Sequence, residues 1–366
     1  MNLGGPLNTI ASAFNPRHNS LNALRLILAV LVIVSHSWPI GGYGIDPGYG
    51  DQDLGDWAVA GFFAISGYLI TSSRISARSI GDYLWRRFLR IYPAFFVALV
   101  VVAFVIAPVS TLVLGETYNW GSGFSYVVNN AAVMIRQWGI EGTLANAPYP
   151  ITWNGSAWTL FYEILCYLAA GFLVSFIPRR FLKPAMIAAL IVCAIGTIAT
   201  SSFGVELHAI LELTARLGGF FAAGAIVYLY REQIPSHWAV AAGAVAVLVG
   251  VVSVGQFQAL AGLPVAYLMM YLGSVLPLQK VGSVNDLSYG MYIYAFPVQQ
   301  FLSLTFPDQQ LPLPVFILVS VALTAPFAAA SWFLLEKPLH RYRGLFSGRR
   351  PAPPLPAAAP QPARQS

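Results

Sequence analysis

Ten stretches of mostly apolar residues follow one another along this chain, near 21–40, 56–73, 92–114, 157–177, 185–203, 207–230, 238–255, 257–277, 286–306 and 313–335. Each is long enough to cross a hydrocarbon core, which takes roughly 17–25 helical residues. Backbone amides in lipid have no water to bond, so a spanning segment must close its hydrogen bonds internally. Runs of this length therefore predict helices and leave little else open. Only 9% of the 366 residues are charged, against about 25% in soluble domains. The expectation is an all-α, polytopic integral membrane protein of about ten transmembrane helices. Its membrane domain would cover 1–343, followed by a disordered Pro/Ala-rich cytoplasmic tail over 344–366. The least secure windows are the pair flanking Gly255, and the VVNNAAVMI run near 127–135 suits a re-entrant or surface helix. The first window is about a full span and carries Arg25 and His36, so it reads as a retained helix, not a cleaved signal.

Basic residues set the expected direction. With the N-terminus inside, cytoplasmic segments receive Arg74, Arg78, Arg86, Arg87, Arg90, Arg179, Arg180, Lys183, Lys337 and Arg343 among others, whereas the outer segments receive only Arg136. The outer side instead collects Asp46, Asp51, Asp53, Asp56, Glu116, Glu141, Glu206 and Asp308. That asymmetry fits an even number of crossings with both termini in the cytoplasm. The net charge of +6 is then a topology signal with some anionic-lipid contact, and nothing points to nucleic acid. Cys166 and Cys193 both lie in apolar runs and read as free, packed thiols. No inverted duplication of the kind found in many carriers is visible.

Ionisable groups inside apolar windows are costly and normally face a wetted interior. Arg25 and His36 stand eleven residues apart in LNALRLILAVLVIVSHSWPI. That spacing places both on one helix face, roughly 16 Å apart along the axis, about half a bilayer core. Glu163, in NGSAWTLFYEILCYL, counts to the same depth as His36 from the outer surface. The pair is expected to meet, the carboxylate orienting the imidazole as a general base. Arg86, Arg87 and Arg90 stand at the cytoplasmic entrance of the third window and suit a phosphate-bearing ligand, or equally lipid phosphates. Ser66 and Gly67 fall near mid-membrane, where small residues let helices approach, and no G-x-S-x-G elbow supports a nucleophilic serine. Glu212 and Arg216 are spaced to neutralise one another. Tyr289 and Tyr292 suit a sugar site or an interfacial belt, as do Trp153 and Trp158 at the outer mouth. His208 and His237 read as interfacial and His340 as part of the cytoplasmic tail. No ligand spacing for a metal and no phosphate-binding G-x-x-x-x-G-K-[ST] loop occurs.

Several elements in order resemble the acyltransferase-3 family of integral-membrane acyltransferases. They are Arg25-x10-His36 followed by S-W-P, GFFAISGYLI at 61–70, and Arg87-x-x-Arg90 followed by IYPAFF. Trp158-x-Leu160-x-x-Glu163, LSYGMYIYAFPV at 287–298 and Glu336-Lys337-Pro338 continue the series. The resemblance implies transfer of an acyl group, commonly acetyl from acetyl-CoA as co-substrate, to a hydroxyl of a carbohydrate or other cell-envelope acceptor. It implies His36 as catalytic base, Arg25 as a cavity residue, Arg87 and Arg90 on the donor side, and Trp158 and Glu163 in the fourth-helix motif. It also implies a fold of about ten transmembrane helices around a central polar cavity, in a bacterial inner membrane. Many relatives carry a histidine where this chain has Ala295, so no second imidazole is expected there. The competing expectation is a proton-coupled carrier or flippase, with His36, Glu163 and Glu212 as the relay.

Overall fold

The computed structural model describes residues 8–50 and 52–346, so the expected tail beyond Phe346 and the Asp51 position lie outside the described residues. The chain opens with a short helix α1 (Ile10–Ala13), then α2 (Leu21–Ile40). A two-residue hairpin, β1 (Gly48–Tyr49) with β2 (Gln52–Asp53), leads into α3 (Leu54–Ser76). Next come α4 (Ile80–Leu114), α5 (Trp120–Asn130), α6 (Thr159–Phe176), α7 (Arg179–Phe203) and α8 (Ala209–Leu229). The series ends with α9 (Trp238–Ser253), α10 (Phe257–Leu260), α11 (Gly262–Val275), α12 (Ser288–Thr305) and α13 (Leu313–Gly344).

Local chemistry explains where these helices start and stop. Asp53 caps α3 and Ser79 caps α4, each accepting a hydrogen bond from a backbone N–H three residues on. Gly115 ends α4 with φ 72° and Gly204 ends α7 with φ 63°, left-handed positions that cost glycine nothing. Two π-helical turns interrupt the long helices, Val102–Ile106 in α4 and Ser331–Glu336 in α13. Such turns rotate the side chains beyond them and recur at functional sites.

Among the described residues, seven helices are long and apolar enough to cross a membrane: α2, α3, α4, α6, α7, α8 and α13. The other three predicted windows each hold a helix as well. Two of them, α9 with 16 residues and α11 with 14, fall short of a full span. The third, α12, has 18 residues, but three tyrosines and two glutamines dilute its apolar character. Its surroundings account for that composition. No residue of α12 is exposed, and it packs against α2 and α13. A helix walled in by protein meets no lipid and can carry polar side chains, whereas α7, with 17% of its span buried, must present hydrocarbon outward.

The tightest pairing joins α3 and α8. A Cβ placed on Gly67 would lie 2.0 Å from the Phe221 carbonyl oxygen, and one on Gly224 would lie 2.0 Å from that of Ala64. The two backbones are therefore in direct contact, the close approach expected around Ser66 and Gly67.

Candidate active site

Polar groups form a ladder along α12, from a basic basin at one end of the bundle to His36 near the other. The basin is a cavity of about 490 Å³ whose lining includes Arg25, Arg86, Arg87, Arg90, Lys337, His340 and Arg343. Its arginines are not equivalent. Arg90 reaches Asp286 at 2.7 Å and Glu336 at 3.2 Å, and Arg25 reaches the same Asp286 oxygen at 3.1 Å. Arg86 pairs with Asp82 at 2.9 Å, one helical turn away. Arg87 instead stands over the Tyr167 ring, 6.0 Å from its centroid, and its buried Nε has no hydrogen-bond partner. The sequence gives Arg87 and Arg90 one role; the structure commits Arg90 to two carboxylates and leaves Arg87 available. Glu336 closes the π-helical turn of α13 and accepts from Ser331 Oγ at 3.1 Å, which fixes the carboxylate beside Arg90.

Arg25 also lines the next chamber, a cavity of about 40 Å³ between α3, α6 and α12, bounded further by Ser66, Glu163, Tyr289 and Tyr292. That is room for about one water molecule. Glu163 Oε1 accepts hydrogen bonds from Ser66 Oγ at 3.0 Å and from the Tyr167 hydroxyl at 2.5 Å. Tyr289 donates to the Ile91 carbonyl at 2.8 Å. Tyr292 donates to the Ser156 carbonyl at 2.9 Å and lies 2.6 Å from Thr159 Oγ1. Arg25 is thus the joint between basin and chamber, and Ser66 is a chamber wall as well as a packing residue.

His36 lies further along. Its ring packs edge-on against Phe296 of α12, with centroids 5.3 Å apart, and its Nδ1 is buried without a hydrogen-bond partner. A buried polar atom left unpaired costs about 1–3 kcal/mol. The expected contact with Glu163 does not form: the carboxylate is held by Ser66 and Tyr167. The cause is the segment between α5 and α6, which returns into the bundle. Asn154 Nδ2 donates to the Ile293 carbonyl at 2.9 Å, and Gln300 Nε2 donates to the carbonyls of Tyr149 and Thr152 at 2.7 Å each. Val133, Leu144 and Ile151 take positive φ of 67°, 58° and 75° to make the path, an unfavourable conformation for branched side chains. α6 therefore begins inside the bundle, several residues deeper than a count from the membrane surface assumes. Eight residues of α12, about 12 Å, separate Ser288 at the chamber from Phe296 at the imidazole.

Of the other expectations, some are revised and others hold. Trp153 is wholly buried, its Nε1 donating to Thr143 Oγ1 at 2.8 Å, so it has no face free at the mouth. Trp158 does line an open groove of about 370 Å³ with Trp138, Tyr162, Asp56 and Arg216. Arg216 faces Asp56 at 3.9 Å, across helices, and makes no ion pair with Glu212. His340 belongs to the basin, within 2.6 Å of Arg343. His208 and His237 cap α8 and α9 through Nδ1. Ala295 is buried in α12, and Cys166 and Cys193 are free thiols. Sequence reasoning missed Asp286, Asn154 and Ser156 as parts of the polar ladder. An aspartate two residues before an apolar helix was the available signal for the first.

Residues 18–334 match the family described as "Acyltransferase domain". An O-acetyl transferase of Shigella phage Sf6 is 27% identical over 335 residues, covering 88% of this chain and 96% of the phage protein. Nodulation protein 10 of Rhizobium leguminosarum bv. viciae is 27% identical over 382 residues, covering 94% of this chain and 99% of its own. No solved structure matches.

Proposed function

The chain belongs to the acyltransferase-3 family of membrane O-acyltransferases, and from that premise we propose that it moves a short acyl group, acetyl first, from cytosolic acyl-CoA to a hydroxyl of an exported or envelope carbohydrate. The observation that carries this reading is the ladder itself. A cationic basin, a narrow chamber and an unpartnered imidazole stand in line along one buried helix. The basin would take the phosphates of CoA, with Arg87, Lys337 and Arg343 as the binding cations and Arg90 holding the wall. An extended pantetheine arm has the length needed to carry a thioester past Arg25 toward His36, so CoA itself need not cross. This reading puts the basin on the cytoplasmic side and the enzyme in a bacterial inner membrane.

His36 would take the proton as the acceptor O–H bond breaks. The new C–O bond forms at the thioester carbon, the C–S bond breaks, and the thiolate of CoA recovers the proton from the imidazolium. Charge on the tetrahedral oxygen needs a donor in a low-dielectric setting; along the route Arg25 has donors to spare, whereas the hydroxyls of Ser66 and Tyr292 already donate to Glu163 and to the Ser156 carbonyl. Glu163 is not the group that orients His36. It fixes Ser66 and Tyr167 between basin and chamber. The decisive measurement is O-acylation of cell-surface glycans, by the gained acyl mass, in cells carrying His36→Ala. Loss of about 10²–10⁴-fold at unchanged protein level is expected for a general base. Retained acylation would remove His36 from the chemistry.

A further inference from the structure

The loop that returns into the bundle is fastened through its carbonyls and the Asn154 amide nitrogen, and it leaves two side-chain oxygens unsatisfied. Asn154 is 4% exposed and Ser156 is 3% exposed, yet Asn154 Oδ1 and Ser156 Oγ have no hydrogen-bond partner. Between them Gly155 lies on the Phe296 ring so closely that a Cβ there would come within 2.4 Å of it. The His36 ring packs against that same phenyl group, and its Nδ1 is the third unpartnered atom. Most buried polar side-chain atoms are paired in folded proteins, so orphans on both neighbours of the glycine that meets this ring, and on the imidazole packed against it, call for an explanation.

The fold does not need these groups where they are. The tether at 154 uses only Nδ2, which donates to the Ile293 carbonyl and so fixes the amide orientation. Residue 156 contributes its carbonyl to Tyr292 and Thr159, a service any amino acid provides. What remains is an amide oxygen that can only accept and a hydroxyl that can do either. A thioester presents no hydrogen-bond donor at its reacting end, so it cannot satisfy Asn154 Oδ1. A polyol can.

We propose that Asn154 and Ser156 are acceptor-positioning residues: they hold the hydroxyl adjacent to the one facing His36, which makes a vicinal diol, as in a sugar ring, the substrate class. Asn154 Oδ1 accepts from that neighbouring hydroxyl and Ser156 Oγ donates to its oxygen. The assignment rests on the transferase reading above, in which His36 receives the proton. It adds a rule for which alcohols react.

The test uses purified full-length protein in detergent with acetyl-CoA and two probes, trans-cyclohexane-1,2-diol and cyclohexanol. A site that recognises the second hydroxyl gives the wild type a kcat/KM about tenfold or more higher for the diol. Asn154→Ala and Ser156→Ala should each bring that ratio close to unity. Ser156→Ala removes an unpartnered hydroxyl, so its melting temperature should stay level or rise while the preference collapses, an outcome that packing alone does not produce. Variants that keep the wild-type ratio, or a wild type that acetylates both alcohols alike, overturn the assignment and leave the transferase reading standing. A wild type that releases no CoA with either probe overturns both.

Discussion

The two ends of the ladder treat polarity in opposite ways. At the basin the deeper arginines have counter-charges: Arg25 and Arg90 share Asp286, Arg90 adds Glu336, and the more exposed Arg86 takes Asp82. At the imidazole end, His36, Asn154 and Ser156 are buried with atoms unsatisfied. The first arrangement stabilises the protein by itself. The second is destabilising until something fills it. The contrast separates residues that hold the fold from residues that await a ligand, and it draws that line inside a single sequence motif, between Arg90 and Arg87.

The sharpest way to break this distinction is at Asp286. Asp286→Ala strips Arg25 of its carboxylate and Arg90 of one of two, and uncovering a buried charge typically costs about 3–5 kcal/mol. Thermal or denaturant unfolding in detergent should register a loss of that size, and a loss below about 1 kcal/mol would show the network to be ornamental. Arg87→Ala should do the reverse. Its stability should move by less than about 1 kcal/mol, while affinity for CoA, read by titration calorimetry, falls roughly tenfold or more, as charged hydrogen bonds to phosphate are lost. Unchanged affinity would return Arg87 to the role of a membrane anchor. The smallest effect belongs to the stability of His36→Ala. Removing an unpartnered ring nitrogen offsets the packing lost against Phe296, so unfolding should shift by no more than about 1 kcal/mol even though acylation disappears. A large destabilisation there would mean that the imidazole is a packing residue after all.

Much of the scaffold was legible from the chain. Each of the ten apolar windows holds a helix, because a run of that length in lipid has little alternative, and seven of those helices meet the length and apolarity of a span. Arg86, Arg87 and Arg90, read together at the entrance of the third window, do line one basin, and the structure adds Arg25 to it. Depth within the bundle was less legible. Glu163 was placed against His36 by counting from the surface, a count that assumes α6 starts there; the loop carrying Asn154 starts it several residues deeper. Partners across helices were also hidden. The spacing of Glu212 and Arg216 pairs them on paper, while rotation of α8 turns Arg216 to Asp56 on α3. The Ser66–Glu163 bond and the capture of Arg25 by Asp286, 261 residues away, depend on helix order around α12, which local pattern does not encode.

The reciprocal glycine contact between α3 and α8 has a mechanical consequence. With Gly67 seated on the backbone at Phe221 and Gly224 on the backbone at Ala64, neither helix can slip past the other without forcing main-chain atoms together. A carrier needs parts that slide or rock, and this pair of helices is keyed together. A long flexible thioester arm can thread past such a fixed pair by side-chain movements that widen the narrow chamber, in a way that a rigid solute cannot.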